Sequence, residues 1–210
     1  MSQLDAGMTR PSAKAFAVQP MLSRLVREHA SELQGRPLEL RQVACTAFAR
    51  TDPVLLERML RNLVSNAVRH TARGRILVGC RRRGDRLSME VWDTGPGITA
   101  QDRARVFDEF VQLGNPERDR AKGLGLGLAI TRRLAELLDC PITLRSQPGR
   151  GSVFAISVPL ASVGAPLDRE ESPPAPGSTG LVFVVDDEAL VRDSTAQLLA
   201  TWGYEAVTGG

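Results

Sequence analysis

The sequence predicts an α+β fold, a two-layer sandwich in which helices cover one face of a largely antiparallel sheet. Two observations carry that expectation. Apolar residues recur at helical spacing in three separated stretches. Strand-like segments come in pairs across short turns: Arg75–Arg82 with Arg86–Asp93 around Gly84-Asp85, and Ile142–Ser146 with Ser152–Pro159 around Pro148-Gly149-Arg150-Gly151. Hydrophobic residues at 42% and charged residues at 24% of 210 are the balance of a globular chain.

Four regions follow in order. Residues 1–15 are polar and broken by Gly7 and Pro11. Residues 16–161 alternate helix and strand signals and form the expected domain. Residues 162–180, SVGAPLDREESPPAPGSTG, have the composition of a linker. Residues 181–210 begin a new pattern with Leu-Val-Phe-Val-Val.

Within the domain, Met21, Leu22, Leu25, Val26, His29, Ala30 and Leu33 share one helical face, and Gly35 and Pro37 stop that helix. Leu38 and Leu40 alternate as in a short strand. Asp52-Pro53 is a helix start, with Asp as the cap and Pro in the first turn. That helix runs to about His70, with Leu56, Met59, Leu60, Leu63, Val64 and Ala67 facing a core. The two hairpins flank a third helix, expected over Leu124–Leu138.

The net charge is +3, too mild for a nucleic-acid partner, and Arg81-Arg82-Arg83 reads as a solvated hairpin tip. No apolar run approaches the ~18 residues of a membrane span, and no leader opens the chain, so no direct membrane contact is expected. Cys45, Cys80 and Cys140 have no CxxC spacing and are odd in number. No disulfide or zinc site is expected from them, and a cytoplasmic, reducing location fits.

Three groups of residues point to chemistry. Asn62 and Asn66 lie four apart on one helix face, with Arg69 a turn beyond. Asn is poorly favoured inside helices, and carboxamide oxygens suit a hard cation that keeps most of its waters; two plain surface residues are the alternative. Asp93-Thr94-Gly95-Pro96-Gly97 follows a strand, where a carboxylate can accept from an exocyclic amine and glycine lets backbone approach a ligand; an ordinary turn is the alternative. Gly123-Leu124-Gly125-Leu126-Gly127-Leu128 opens a helix, offering N–H groups to phosphate. It lacks the flanking strand of the dinucleotide fingerprint and the GK[ST] of the P-loop. Between the last two groups, Phe107-Asp108-Glu109-Phe110 precedes a polar stretch to Lys122 that has the length of an active-site lid or of a plain loop.

Taken in order, these residues resemble the catalytic, ATP-binding domain of sensor histidine kinases, in the gyrase/Hsp90/histidine-kinase/MutL superfamily. Asn62 to Asn66 matches its N box, Asp93-x-Gly95-x-Gly97 its G1 box, Phe107–Phe110 its F box and Gly123-x-Gly125-x-Gly127 its G2 box, while Gly151-Ser152-x-Phe154 resembles its last box. The resemblance covers residues 16–160 and implies a Bergerat-type α/β sandwich that transfers the γ-phosphoryl group of ATP, with Mg2+, to a histidine on a dimerisation domain. It implies that Asn66 ligates Mg2+, that Asp93 holds the adenine amine and that Arg69 reaches phosphate, with Asn62 and Arg69 the catalytic positions. Gly95, Gly97, Ile98, Phe107, Lys122, Gly123, Leu124, Gly125, Leu126, Gly127, Leu128 and Ser152 would line the nucleotide, the role of Lys122 staying open.

Residues 181–210 resemble the first strand, helix and second strand of a receiver domain, an incomplete βαβ unit, with Asp186 and Asp187 at the place of that family's Mg-binding acidic pair. Met1–Gly7 resembles the end of a dimerisation hairpin. The implied partners are ATP, a histidine-bearing dimerisation domain and a response regulator or receiver domain.

Neither histidine matches the phosphoacceptor pattern: His29 lies on an apolar stripe and is followed by Ala-Ser-Glu, and His70 ends the N-box helix. Gyrase- and Hsp90-type ATPases resemble one another in placing a water-activating Glu where this chain has Asn62, so hydrolysis is disfavoured. A non-catalytic nucleotide-binding module and a serine kinase of the anti-sigma type remain as alternatives.

Overall fold

The computed structural model describes residues 11–111, 125–161, 181–185 and 205–209. The chain divides into two compact units, Met1–Leu167 and Asp168–Gly210.

The first unit is the expected two-layer sandwich. Strands β2 (Leu38–Gln42), β4 (Gly74–Arg83), β5 (Arg86–Asp93), β6 (Ile142–Gln147) and β7 (Gly151–Pro159) form a five-stranded sheet in the order β2-β4-β5-β7-β6. Helices α1 (Val18–His29), α2 (Pro53–His70) and α4 (Gly127–Leu137) supply the other layer, and a short α3 (Asp102–Arg105) lies between β5 and α4. The core forms where the helical stripes meet alternate strand residues: Met21, Leu22 and Leu25 of α1, Leu56 to Ala67 of α2, Ile76 and Val78 of β4, Met89 and Val91 of β5, Phe154 and Ile156 of β7. On the opposite face Trp92 lies between the guanidinium groups of Arg81 and Arg145, 5.8 and 5.7 Å from its ring centre.

α2 is the element that positions the site, and its start is set by Asp52. That carboxylate accepts from the backbone N–H of Val54 and of Leu55, both at 3.0 Å, ahead of Pro53 in the first turn. At the other end Arg36 donates to the carbonyls of Val68 and Thr71, which satisfies the last turn.

Several expectations need correction. β2 pairs with β4 in parallel, so the sheet is mixed. A two-stranded sheet of β1 (Lys14–Ala17) and β3 (Phe48–Thr51) was not foreseen, and it carries the domain two residues ahead of the boundary at 16. The first helix ends at His29, and Ser31–Leu33 form a 3-10 turn. α4 begins at Gly127 rather than Leu124, since Gly125 has φ +69° and cannot be helical. Cys45 and Cys80 form a disulfide, because the loop after β2 returns over β4 and brings their Cα atoms to 6.2 Å. Cys140 is a free, buried thiol.

In the second unit, β8 (Leu181–Val185) pairs in parallel with β9 (Glu205–Gly209), the strand relation of a βαβ unit. Asp186 and Asp187 lie outside the described residues, as do Met1–Gly7. Among the described residues no helix is long and apolar enough to cross a membrane.

Candidate functional site

The site is built along α2. The helix rises 1.5 Å per residue, so Asn62 and Thr71 stand roughly 13 Å apart with Asn66 between them. Different elements meet α2 at its middle and at its C-terminal end.

At the C-terminal end stands Asp93, the last residue of β5. It is half-buried, and burial pushes its carboxyl above the ordinary range; the backbone N–H groups of Gly95 and Ser152 and the charge of His70 pull it the other way. The Gly95 N–H donates to Asp93 Oδ1 at 2.8 Å. A Cβ on Gly95 would stand 2.9 Å from Asp93 Oδ1 and 3.1 Å from both the His70 carbonyl oxygen and Thr71 Oγ1. Three polar atoms therefore converge where only glycine fits. A carboxylate held this way can accept a hydrogen bond from an amine donor.

The loop after Gly95 is fastened to the β6–β7 turn. Gly97 has φ +71°, and a Cβ there would fall on the Gln147 carbonyl. Ile98 donates its backbone N–H to Ser146 Oγ at 2.7 Å, Ser146 Oγ lies 2.9 Å from Ser152 Oγ, and Gly149 N–H reaches the Pro96 carbonyl at 2.7 Å. Ser152 is buried, so its hydroxyl supports the loop while its N–H steadies Asp93. Ser146 was missed in the sequence, where a lone Ser in a strand carries no signal.

At the middle of α2, Asn62 Nδ2 donates to the Gly127 carbonyl at 3.2 Å and to Thr131 Oγ1 at 3.3 Å. The Thr131 hydroxyl itself donates to the Gly127 carbonyl at 2.8 Å. Asn62 thus holds the N-terminal turn of α4 against α2. The first turn of α4 lacks any side-chain cap, which leaves backbone N–H groups for an anion. Asn66 is half-buried one turn beyond Asn62, and Arg69 is exposed in the last turn.

Phe107 packs edge-on against Phe154, ring centres 6.2 Å apart, and Ile98 and Leu128 lie against the same core. Phe110 has φ +62° and is exposed. A Cβ on Gly125 would come 3.0 Å from the Val111 carbonyl oxygen and 3.2 Å from Phe110 Cα, so chain on the two sides of 112–124 runs close together there. Leu126 occupies the N-cap position of α4. Lys122, Gly123 and Leu124 lie outside the described residues. His29 is buried with Nδ1 2.9 Å from the Leu25 carbonyl, a packed residue.

Comparison with known proteins gives a consistent picture. Residues 51–162 match the family model described as histidine kinase-, DNA gyrase B-, and HSP90-like ATPase. The chain is 42% identical over 118 residues to sensor histidine kinase RcsC of Escherichia coli, covering 56% of this chain and 12% of that protein. It is 31% identical over 219 residues to the circadian input-output histidine kinase CikA of Synechococcus elongatus, covering 99% of this chain and 28% of that protein. The chain thus spans less than a third of the length of these two relatives. Among solved structures, full-length ShkA in complex with AMPPNP superposes with a TM-score of 0.65 at 26% identity, over 99% of this chain and 42% of that one. The catalytic domain of histidine kinase ThkA superposes at 0.60 and 20% identity, over 70% of this chain and 95% of that one, which shows the shared fold.

Proposed function

This chain belongs to the histidine kinase-, DNA gyrase B-, and HSP90-like ATPase family, and from that premise we propose that it binds Mg-ATP and supplies the γ-phosphoryl group to a histidine on a separate dimerisation domain. The observation that carries the reading is the arrangement along α2: a carboxylate with a glycine-only turn at its C-terminal end, and the uncapped N-terminus of α4 held by Asn62 at its middle. An amine donor on a purine suits the carboxylate, and phosphate oxygens suit the uncapped helix N-terminus.

Asp93 accepts from the adenine amine, and its orientation is held by the N–H groups of Gly95 and Ser152. Gly95 and Gly97 let the loop beside Asp93 pack where a side chain would clash. The α4 N-terminus, entered through Gly125 and Leu126, receives phosphate oxygens. Gly123, Leu124 and Lys122 are proposed to extend that cradle, and Arg69 to pair with phosphate.

The donor set suits Mg2+ carried on a nucleotide. Among the described residues no group of three or more His, Cys, Asp or Glu could hold a metal, while the Asn66 carboxamide offers one hard oxygen beside the phosphate region. Mg2+ binds through few protein ligands and keeps waters and phosphate oxygens as the rest. When bound it neutralises charge on the phosphates during transfer.

Asn62 decides between kinase and hydrolase. Its carboxamide is no base, and its nitrogen is engaged with Gly127 and Thr131. Water attack lacks a general base there, so the γ-phosphoryl group is retained for another acceptor. His29 is buried against Leu25, which leaves it no in-line approach. Residues 181–210 are proposed as the start of a receiver domain, with Asp186 and Asp187 as its acidic pair, and a response regulator or receiver domain as the downstream partner.

The test uses radiolabelled ATP and a separate dimeric helical hairpin bearing a phosphoacceptor histidine from a kinase of this type. Acid-labile label on the hairpin is expected, with none on this chain alone. Label on His29 or His70 overturns the assignment. ATP binding with no labelling of any cognate hairpin favours a non-catalytic module.

A further inference from the structure

The Cys45–Cys80 disulfide ties a loop to the sheet. Residues 43–47 link β2 to β3 without regular structure, and Val43, Ala44 and Thr46 are exposed. Cys45 is the buried side chain of that loop, and its partner Cys80, in β4, is partly exposed. Apart from the disulfide, backbone hydrogen bonds hold the loop. The Val43 N–H donates to the Val78 carbonyl at 2.9 Å and the Cys45 N–H to Gln19 Oε1 at 2.8 Å, while the Ala47 carbonyl accepts from the Val18 N–H at 3.1 Å. A segment with so few buried side chains opens easily once its anchor is cut.

Two of those bonds reach the first turn of α1. That helix starts without a side-chain cap, so the Ala47 carbonyl supplies a partner for one of its free N–H groups. β1 runs directly into α1 and pairs with β3, the strand that follows the loop. The disulfide therefore holds, through one loop, the joint between β1 and α1. It stands away from the nucleotide site: Asp93 pairs with Ile76 of β4, and Cys80 lies four residues further along that strand, roughly 13 Å. A domain that uses ATP works where cellular thiols are plentiful, and disulfides found in such compartments are mostly transient, sensing ones rather than permanent staples.

Resting on the nucleotide-site reading above for that compartment, we propose that Cys45 and Cys80 form a reversible thiol–disulfide exchange site that locks the β1–α1 joint when oxidised and loosens it when reduced, leaving nucleotide binding unchanged. A dithiol reductant supplies the two electrons. Its thiolate attacks the sulfur of Cys80, the partly exposed partner; the S–S bond breaks, and the Cys45 sulfur leaves as a thiolate and takes up a proton. The second thiol of the reductant then attacks the mixed disulfide and releases Cys80, so the reductant departs as a disulfide and both cysteines end as thiols. Oxidation by a disulfide of the same class runs these steps in reverse.

The experiment treats the intact chain with dithiothreitol or oxidised glutathione under native conditions, quenches in acid, and alkylates the unfolded protein for mass spectrometry. Label is expected on Cys140 alone after oxidation and on all three cysteines after reduction, with the bond opening and re-forming without denaturant. Hydrogen exchange of the two forms, read by peptide, should be about tenfold faster on reduction over residues 14–19 and 43–51 and unchanged over residues 53–70. Cys45→Ser/Cys80→Ser should show the reduced pattern whatever the redox buffer. Calorimetric titration should give the same ATP affinity for both forms. A bond that opens only in urea overturns the proposal, since it is then a permanent staple. So do thiols that fail to pair in oxidised glutathione, exchange that rises throughout the domain, and an ATP affinity that changes with redox state. ATP binding absent from both forms overturns the nucleotide-site reading, whereas failed exchange with ATP binding intact overturns this proposal alone.

Discussion

Asp93 combines two demands that pull against each other. The proposed contact with an amine is strongest when it is ionised, yet burial raises its carboxyl above the usual range, the Gly95 and Ser152 N–H groups and His70 offsetting only part of this. Asp93→Asn turns one acceptor into a donor facing the amine, and ATP affinity is expected to fall by at least about tenfold. The wild-type affinity should also fall as pH drops through the raised carboxyl pKa, at a higher pH than an ordinary Asp would give, whereas Asp93→Asn should show no such step. Stability moves in the opposite sense. A carboxyl with a raised folded pKa binds its proton more tightly folded than unfolded. Its contribution is therefore present at low pH and lost as pH rises through that pKa. Melting of the two chains across this range, without nucleotide, checks the sign: the advantage of wild type over Asp93→Asn should shrink as pH rises. Asp93, Gly95 and Gly97 were legible in the sequence because a strand end followed by two spaced glycines is an uncommon pattern. Ser146 was not, because a single Ser reveals its role only when its bridging oxygen is seen. Ser152 was legible as a site residue, but its hydroxyl reaches Ser146.

The elements show which signals survive folding. α2 was legible from end to end, since Asp52, Pro53 and a seven-residue buried stripe all agree. β1 and β3 were not: KAFA and FART are four residues each, too short for alternation to stand out. The start of α4 was misplaced because the leucines of Gly-Leu-Gly-Leu-Gly-Leu extend an apolar pattern, while the φ of Gly125 breaks the helix. The disulfide was invisible for a related reason. Cysteine spacing carries no information on a pairing made by one loop folding back over a neighbouring strand. Cys45–Cys80 closes a loop with a sequence separation of 35. Loop-closure entropy puts its contribution at about 3 to 4 kcal/mol. Replacing both cysteines by Ser, or adding reductant, should lower the denaturation midpoint accordingly, read by urea unfolding. The Cys45→Ser/Cys80→Ser chain should then be insensitive to reductant. An equal midpoint with and without reductant in the wild type would show that the bond is not formed in solution.

At the scale of the whole molecule the question is what the nucleotide-binding unit needs in order to fold. Its buried core runs from Val18 to Val158 and draws on α1, α2, α4, β2, β4, β5 and β7, with Ile142 and Leu144 of β6 packed against it. The outermost tertiary bonds described lie just beyond those limits. The Ser12 N–H donates to Asp52 Oδ2 at 2.9 Å, and the Ala161 N–H donates to the Phe48 carbonyl at 2.9 Å. The sequence puts a boundary at 161 because Pro, Ser and Gly crowd the stretch after it, and linker chemistry is compositional. The boundary near 16 was hard to read, because Lys14 and Ala15 enter a strand that only its pairing with Arg50 and Thr51 reveals. If cores define domains, residues 11–161 contain everything this one requires. That fragment, made alone, is expected to unfold in one cooperative transition and to bind ATP within about twofold of the full chain, since no residue assigned to the nucleotide lies outside it. Urea unfolding followed by two probes, with calorimetric titration of both chains, measures this. Non-coincident transitions would show that the core is incomplete. A large loss of affinity with folding intact would show that residues beyond 161 contribute to the nucleotide site.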